Sequence, residues 1–398
     1  MNKLLSQPTF IPKINDSALE KVDIEIPAAL MEAHIVEQKH KVFESVQAKA
    51  TVTIIDPINY FAQYKECSEK ANFKKLPYAQ EGDLDKLYSD PTYRLENIVK
   101  PTLHYQIDKG SSLIIAPYLF SEDMNSISFS TNITMLSESI IHLRSEGVTT
   151  PLFAQISINS SVLSDIKSVN FIVDRYKDEL VKEGIQGYFI LVNDLDDRDA
   201  EEQTLLGLAH MVFQLSRDKE VIINHIGGFG EILNIIGASG FSSSLAAGET
   251  FSTKTLQSNY KGPMGRDHNE WKYVPELFDY VNEAELAPNR IDYQCKCMAC
   301  MGNLDVDSQA RVKKLHFLLR RMDAINSLNT LPHTEQIKAM VGRLESGIAQ
   351  ATTYTSRYGL NLRISHMIRW KNVLQASQTW DYEDNDEELE ALLSDLEE

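Results

Sequence analysis

Cysteine is scarce in this chain, and three of its four copies fall within six residues, at Cys295, Cys297 and Cys300. So few thiols, so tightly grouped, exclude a disulfide framework and favour a reducing setting. No run of about 18 apolar residues occurs, so no segment can span a bilayer as a helix. The leading stretch MNKLLSQPTFIPKINDS lacks the apolar core of a signal peptide, and a cytoplasmic location is expected. There is no Walker loop, no G-x-S-x-G elbow and no dinucleotide fingerprint, since the one glycine cluster reads G-G-x-G. Basic residues are outnumbered, 39 against 57 acidic, for a net charge of −18. That balance argues against unaided binding to nucleic acid or an anionic membrane. The excess is uneven, however. Residues 381–398 hold ten acidic groups and no basic one, leaving −8 on the other 380 residues.

A hydrophobic fraction of 43% and a length of 398 residues suit a soluble chain with one barrel-sized domain and an appendage. Residues 1–50 read as a peripheral segment, with a helical stretch at 28–46. From Ser112 onward strands and helices alternate. Strand patterns lie at 113–119, 152–158, Gly187–Asn193, Glu220–Asn224 and 240–245, with amphipathic helices at 134–145, 168–183 and 201–217. This alternation predicts a parallel sheet, and its span favours a (β/α)8 TIM-like barrel over 51–290. Five strands are clear; 51–56, 104–107 and 127–130 are the candidates for the rest. A zinc-binding subdomain at 291–330 and a helical extension at 331–380 follow. The acidic tail, 381–398, places Leu389, Leu392, Leu393 and Leu396 on one helical stripe. It reads as a solvated end or as an arm that docks on a protein partner.

The chemistry concentrates around Glu220–Glu249. Val221–Asn224 has the β-branched character of a strand buried on both faces, and it runs into His225 and then Gly227, Gly228, Phe229 and Gly230. The glycines allow a close approach to a ligand ring or phosphate. A short helix, a second strand and Ser242, Ser243 and Glu249 follow. In parallel barrels the reacting groups sit where strands end, so His225 and Glu249 are candidate catalytic residues, with Gly227, Gly228, Phe229, Ser242 and Ser243 as substrate contacts. Asp194, at the end of Gly187–Asn193, is the third catalytic candidate, and Asp123 is a weaker one by the same argument. Asp197 and Asp199 fit the first turn of the helix after them. Cys295, Cys297 and Cys300 can wrap a soft divalent ion, and tetrahedral zinc needs one more donor. His316 closes a Cys3His site in this reading, with His333 as the other choice. Such a closed Zn2+ site is structural.

The order of these features resembles the tRNA-guanine transglycosylase family, including its relatives that place 7-deazaguanines in DNA. The resemblance runs from about Gly187 to Ile325. It is carried by Gly187-Tyr188 and the acidic loop after that strand, by Val221–Gly230 with Gly237–Ser242, and by the three cysteines. It implies a TIM barrel, a zinc site after the last strands, and base exchange on a nucleobase in nucleic acid. The sequence departs from the family at two places. Ser242 stands where the family's nucleophilic aspartate would be, and D-S-G-G-F-Q is absent, LIIAPYLFSED occupying that region. A serine cannot form the glycosyl intermediate of a carboxylate without an activating base. The expectations are therefore a transglycosylase-like enzyme using Asp194, His225 and Glu249, a non-catalytic subunit of a nucleic-acid-modifying or defence complex, or an unrelated barrel hydrolase.

Overall fold

The computed structural model describes residues 3–20, 22–79, 83–245, 249–257, 271–282, 295–304 and 308–380. Eight strands, β1 (Thr9–Lys13), β2 (Ile26–Glu32), β3 (Ala50–Asp56), β4 (Ile114–Ile115), β5 (Leu152–Asn159), β6 (Gly187–Asn193), β7 (Glu220–Asn224) and β8 (Gly240–Ser244), form one parallel sheet in the order β3-β2-β1-β8-β7-β6-β5-β4. A parallel bridge from Ile54 to Leu113 joins its two ends. The fold is a (β/α)8 TIM-like barrel. Strands such as GYFILVN and EVIIN are buried along their whole length, because side chains filling the barrel bury one face and the outer helices bury the other.

The segment read as peripheral, 1–50, supplies β1 and β2. Two features hid them. Pro12 counts against a central strand, since it has no N–H for the ladder. Ala28, Ala29, Leu30, Met31 and Glu32 are strong helix formers, yet burial on both faces holds them extended, each hydrogen-bonded strand pairing β2 with β1 and β3. Tertiary burial overrides propensity here. The helical part of 28–46 begins only at Ala33. The strand candidates 104–107 and 127–130 lie in helices Lys100–Asp108 and Ile127–Ser145. Helices Ile166–Tyr176, Glu202–Ser216 and Phe229–Ile236 fall between the later strands.

Among its described residues, the β1–β2 connection has only a 3-10 turn, Ser17–Leu19. Its missing cover comes from far along the chain. Helix Gln309–Asn329 lies against β1, with Phe317 and Phe10 ring centroids 5.9 Å apart and Asn329 Nδ2 donating to the Pro8 carbonyl at 2.8 Å. Helix His333–Tyr358 packs on it, helix Ser365–Ala376 packs on His333–Tyr358, and both pack on the barrel's helical layer. The ladder β9 (Trp271–Val274) with β10 (Asp279–Asn282) is antiparallel. The acidic tail 381–398 lies outside the described residues, as does most of the connector between β8 and the cysteines. Among the described residues, no helix is long and apolar enough to cross a membrane.

Candidate active site and metal centre

The C-terminal ends of β1, β2, β3 and β7 bring Lys13, Glu32, Asp56 and Asn224 together. Glu32 and Asp56 are register partners on adjacent parallel strands, so their side chains leave the sheet on the same side. The Lys13 ammonium bridges Glu32 Oε1 and His225 Nε2, 2.5 Å from each. Asp56 Oδ1 accepts from the Tyr118 hydroxyl at 2.7 Å and from the Ile58 N–H at 3.0 Å. Its Oδ2 accepts from Asn224 Nδ2 at 3.2 Å, and Asn224 Oδ1 accepts from Ser242 at 2.6 Å. Tyr60, Phe61 and Phe251 wall the cluster, with Phe251 5.6 Å from the His225 ring and Phe61 5.2 Å from His34.

The two carboxyls differ sharply. Burial alone would raise Glu32, but the Lys13 ammonium and then His34 outweigh it and bring the pKa down to about 2. Burial and then the Glu32 charge raise Asp56 to about 6, against the opposing pull of Lys13 and Tyr118. Burial and the Lys13 charge push the His225 imidazole down to about 3, so it is neutral at pH 7. A neutral ring that accepts from Lys13 at Nε2 carries its proton on Nδ1. That Nδ1 is buried and without a hydrogen-bond partner. Backbone strain collects here too. Ile58, Asp194 and His225 are left-handed, at φ 50°, 57° and 58°, each just beyond the end of β3, β6 or β7. A non-glycine residue pays roughly 1–2 kcal/mol for that conformation, and such strain gathers at functional sites.

Asp194, His225 and Glu249 all lie beyond C-terminal strand ends, but their hydrogen bonds belong to separate networks. Asp194 accepts from Ser252 at 2.5 Å and pairs with Lys254 at 2.9 Å, at the partly exposed rim. Glu249 is buried and pairs with Arg321 at 3.2 Å. At the glycines, the close approach is made by the protein itself. A Cβ on Gly227 would lie 2.8 Å from both Asp197 and Glu249, and one on Gly228 would lie 2.5 Å from Trp370. The Phe229 N–H, at the start of its helix, donates to Asp197 Oδ2 at 2.8 Å. Burial and then the Glu249 charge raise Asp197 to about 7. Asp197 is thus a buried bridge rather than a first-turn acid of the following helix, whose N-cap is Glu201, and Asp199 pairs with Arg363. Ser242 and Ser243 are fully buried, and Asp123 caps a local turn through the Asn125 N–H.

The cysteine cluster assembles with His316. Its Nδ1 lies 3.5 Å from Cys297 Sγ and 3.3 Å from Cys300 Sγ, and all four donor atoms, Cys295 included, lie within 4.8 Å of one another. His316 Nε2 meets the Tyr273 carbonyl at 2.8 Å, which fixes the proton there and turns the Nδ1 lone pair to the thiols. Three soft donors and an imidazole in this arrangement fit a metal ion. His333 is elsewhere, bonded to the Ile235 carbonyl. From His316 the same helix reaches the barrel through Arg321, which is buried, pairs with Glu231 at 2.9 Å and lies over the Tyr273 ring at 4.7 Å.

Sequence reasoning missed Lys13, Glu32, Asp56 and Tyr118. The usable signal was a charged residue ending a strand-like run, as in TFIPK and TVTIID. In comparisons with known proteins, no protein-family model and no curated protein matches the chain.

Proposed function

We propose that the chain is a barrel enzyme of N-glycosidic chemistry, acting on a nucleobase or nucleoside unit in nucleic acid in the manner of a transglycosylase. The observation that supports this is the Glu32–Asp56 pair: neighbouring carboxyls whose pKa values are driven apart, to about 2 and about 6, at a barrel's C-terminal end. Two such groups divide the labour of breaking a glycosidic bond. Glu32, ionised and partly open, faces the positive charge that develops on the sugar. Asp56, raised to about 6, gains and gives a proton close to neutral pH and is the acid for the departing base. Neutral His225 offers Nδ1–H to a ring acceptor, and the aromatic wall suits a planar substrate. Asp194 is the rim carboxylate toward the ribose or base. Glu249, tied to Arg321, positions the loop instead of reacting. Ser242 has no nucleophilic role in this reading, because its hydroxyl donates to Asn224 Oδ1.

Zinc is the ion we assign to the Cys3His group, since tetrahedral thiolate–imidazole sets select it. A closed set of four protein donors leaves the ion a structural role. Lys272 and Lys296 line a cleft beside the thiols, together with Glu276 and Asp323, and they are the groups we assign to nucleic-acid phosphates. The acidic tail is our candidate arm for a basic protein partner. The test is mass spectrometry of bulk nucleosides from cells with and without the gene, complemented by wild type or Glu32→Gln. A modified nucleoside that vanishes on deletion and returns only with wild type is expected. Identical nucleosides in all strains would leave the chain as a non-catalytic subunit.

A further inference from the structure

A second cluster of metal-type donors lies outside the barrel, remote in sequence from the thiols. His104, on helix Lys100–Asp108, faces His142, on helix Ile127–Ser145, with their Nε2 atoms 3.3 Å apart. Glu146, the C-cap of the second helix, places Oε2 2.9 Å from His104 Nε2 and Oε1 3.4 Å from His142 Nε2. Two imidazole nitrogens each about 2.0–2.1 Å from a tetrahedral ion would be about 3.3–3.4 Å apart. The observed spacing is that value. His142 is nearly buried, whereas His104 and Glu146 are about 40% exposed, at 43% and 41%, so the donors line a position open to solvent on one side.

The electrostatics favour a cation. His142 and Glu146 sit at the C-terminal end of their helix, where unpaired carbonyls make the field negative. The charged groups around the cluster are Lys100, which opens the facing helix, and Glu96, in the turn Leu95–Val99 before it, and the two are paired with each other.

We propose that His104, His142 and Glu146 form a second divalent transition-metal site, with three protein donors and one open position. Its place in the fold gives it a consequence. Gln106, beside His104 in sequence, bonds both ways with Ile115, and Asn132, on the helix of His142, bonds both ways with Leu119. The two helices thus grip the segment that carries Tyr118 to Asp56. An ion at their junction clamps that segment.

The experiment is equilibrium dialysis of the full chain against zinc sulfate, with bound metal counted by mass spectrometry, for wild type, His104→Gln and Glu146→Gln. Both altered side chains are substantially exposed, and circular dichroism checks the fold. Each variant is expected to bind one equivalent fewer than wild type, or to bind that equivalent at least ~10-fold more weakly. This difference is read whatever the Cys3His group holds and whether or not the barrel is an enzyme. Equal stoichiometry and affinity in all three proteins would overturn the proposal.

Discussion

Two buried polar clusters flank the end of β7, and they settle their charges in opposite ways. Around Arg321 both glutamates are paired: Glu231 by Arg321 and by Arg343 at 3.0 Å, and Glu249 by Arg321, with Asp197 beside Glu249 pushed up to about 7. Around Lys13 one cation serves both Glu32 and His225, Asp56 has no cation of its own, and His225 Nδ1 has no partner. The first arrangement fixes a structure, tying helix Gln309–Asn329 to helix Phe229–Ile236 and the loop after β8. The second drives the two carboxyl pKa values apart at a cost in stability, as reactive sites do. Being buried and charged does not by itself mark a functional site; the imbalance does.

The largest effect is expected when a charge is removed from the paired cluster. Arg321→Ala leaves Glu231 and Glu249 buried with one cation fewer, and unfolding in urea should report a loss of about 3–5 kcal/mol. A loss under ~1 kcal/mol would mean that the cluster does not brace the helix.

The unbalanced cluster should behave in the opposite sense. Asp56 titrates near 6 when folded, against about 3.9 unfolded. A raised carboxyl pKa favours the folded state fully below the unfolded value, and that contribution is lost as pH rises through the folded one. Asp56→Asn should therefore be more stable than wild type above pH 7, by up to about 3 kcal/mol, with the difference shrinking toward pH 4. Thermal melts at pH 4, 6 and 8 would show it. A variant that is less stable at pH 8 would place Asp56 among the structural groups. The smallest effect is expected at the rim: Asp194→Ala loses a pair with the well-exposed Lys254, and denaturant unfolding should change by less than ~1 kcal/mol.

Much of the fold was legible because its later strands are dense in β-branched and aromatic residues and sit between amphipathic helices. β6 and β7 occur at the predicted bounds. β1 and β2 were illegible for a physical reason: a proline and a run of helix formers disguise segments that are extended only because the barrel buries them. The thiols announced their cluster by spacing, and His316 joins them. The mouth could not be read so directly. Lys13 and His225 are 212 residues apart, and only closure of the sheet between β8 and β1 brings them into contact. Asp194 and His225 were picked out by position after a strand, and the same criterion applied to TVTIID would have found Asp56.

Glu32 and Asp56, side by side on β2 and β3, lose their protons at widely different pH, near 2 and near 6. Carboxyl-carbon NMR of the full chain, assigned through Glu32→Gln and Asp56→Asn, measures this without knowledge of the substrate. Glu32 should remain ionised down to the acid limit of the folded state, with Asp56 titrating near pH 6. Two carboxyls that both titrate near 4 would contradict the account.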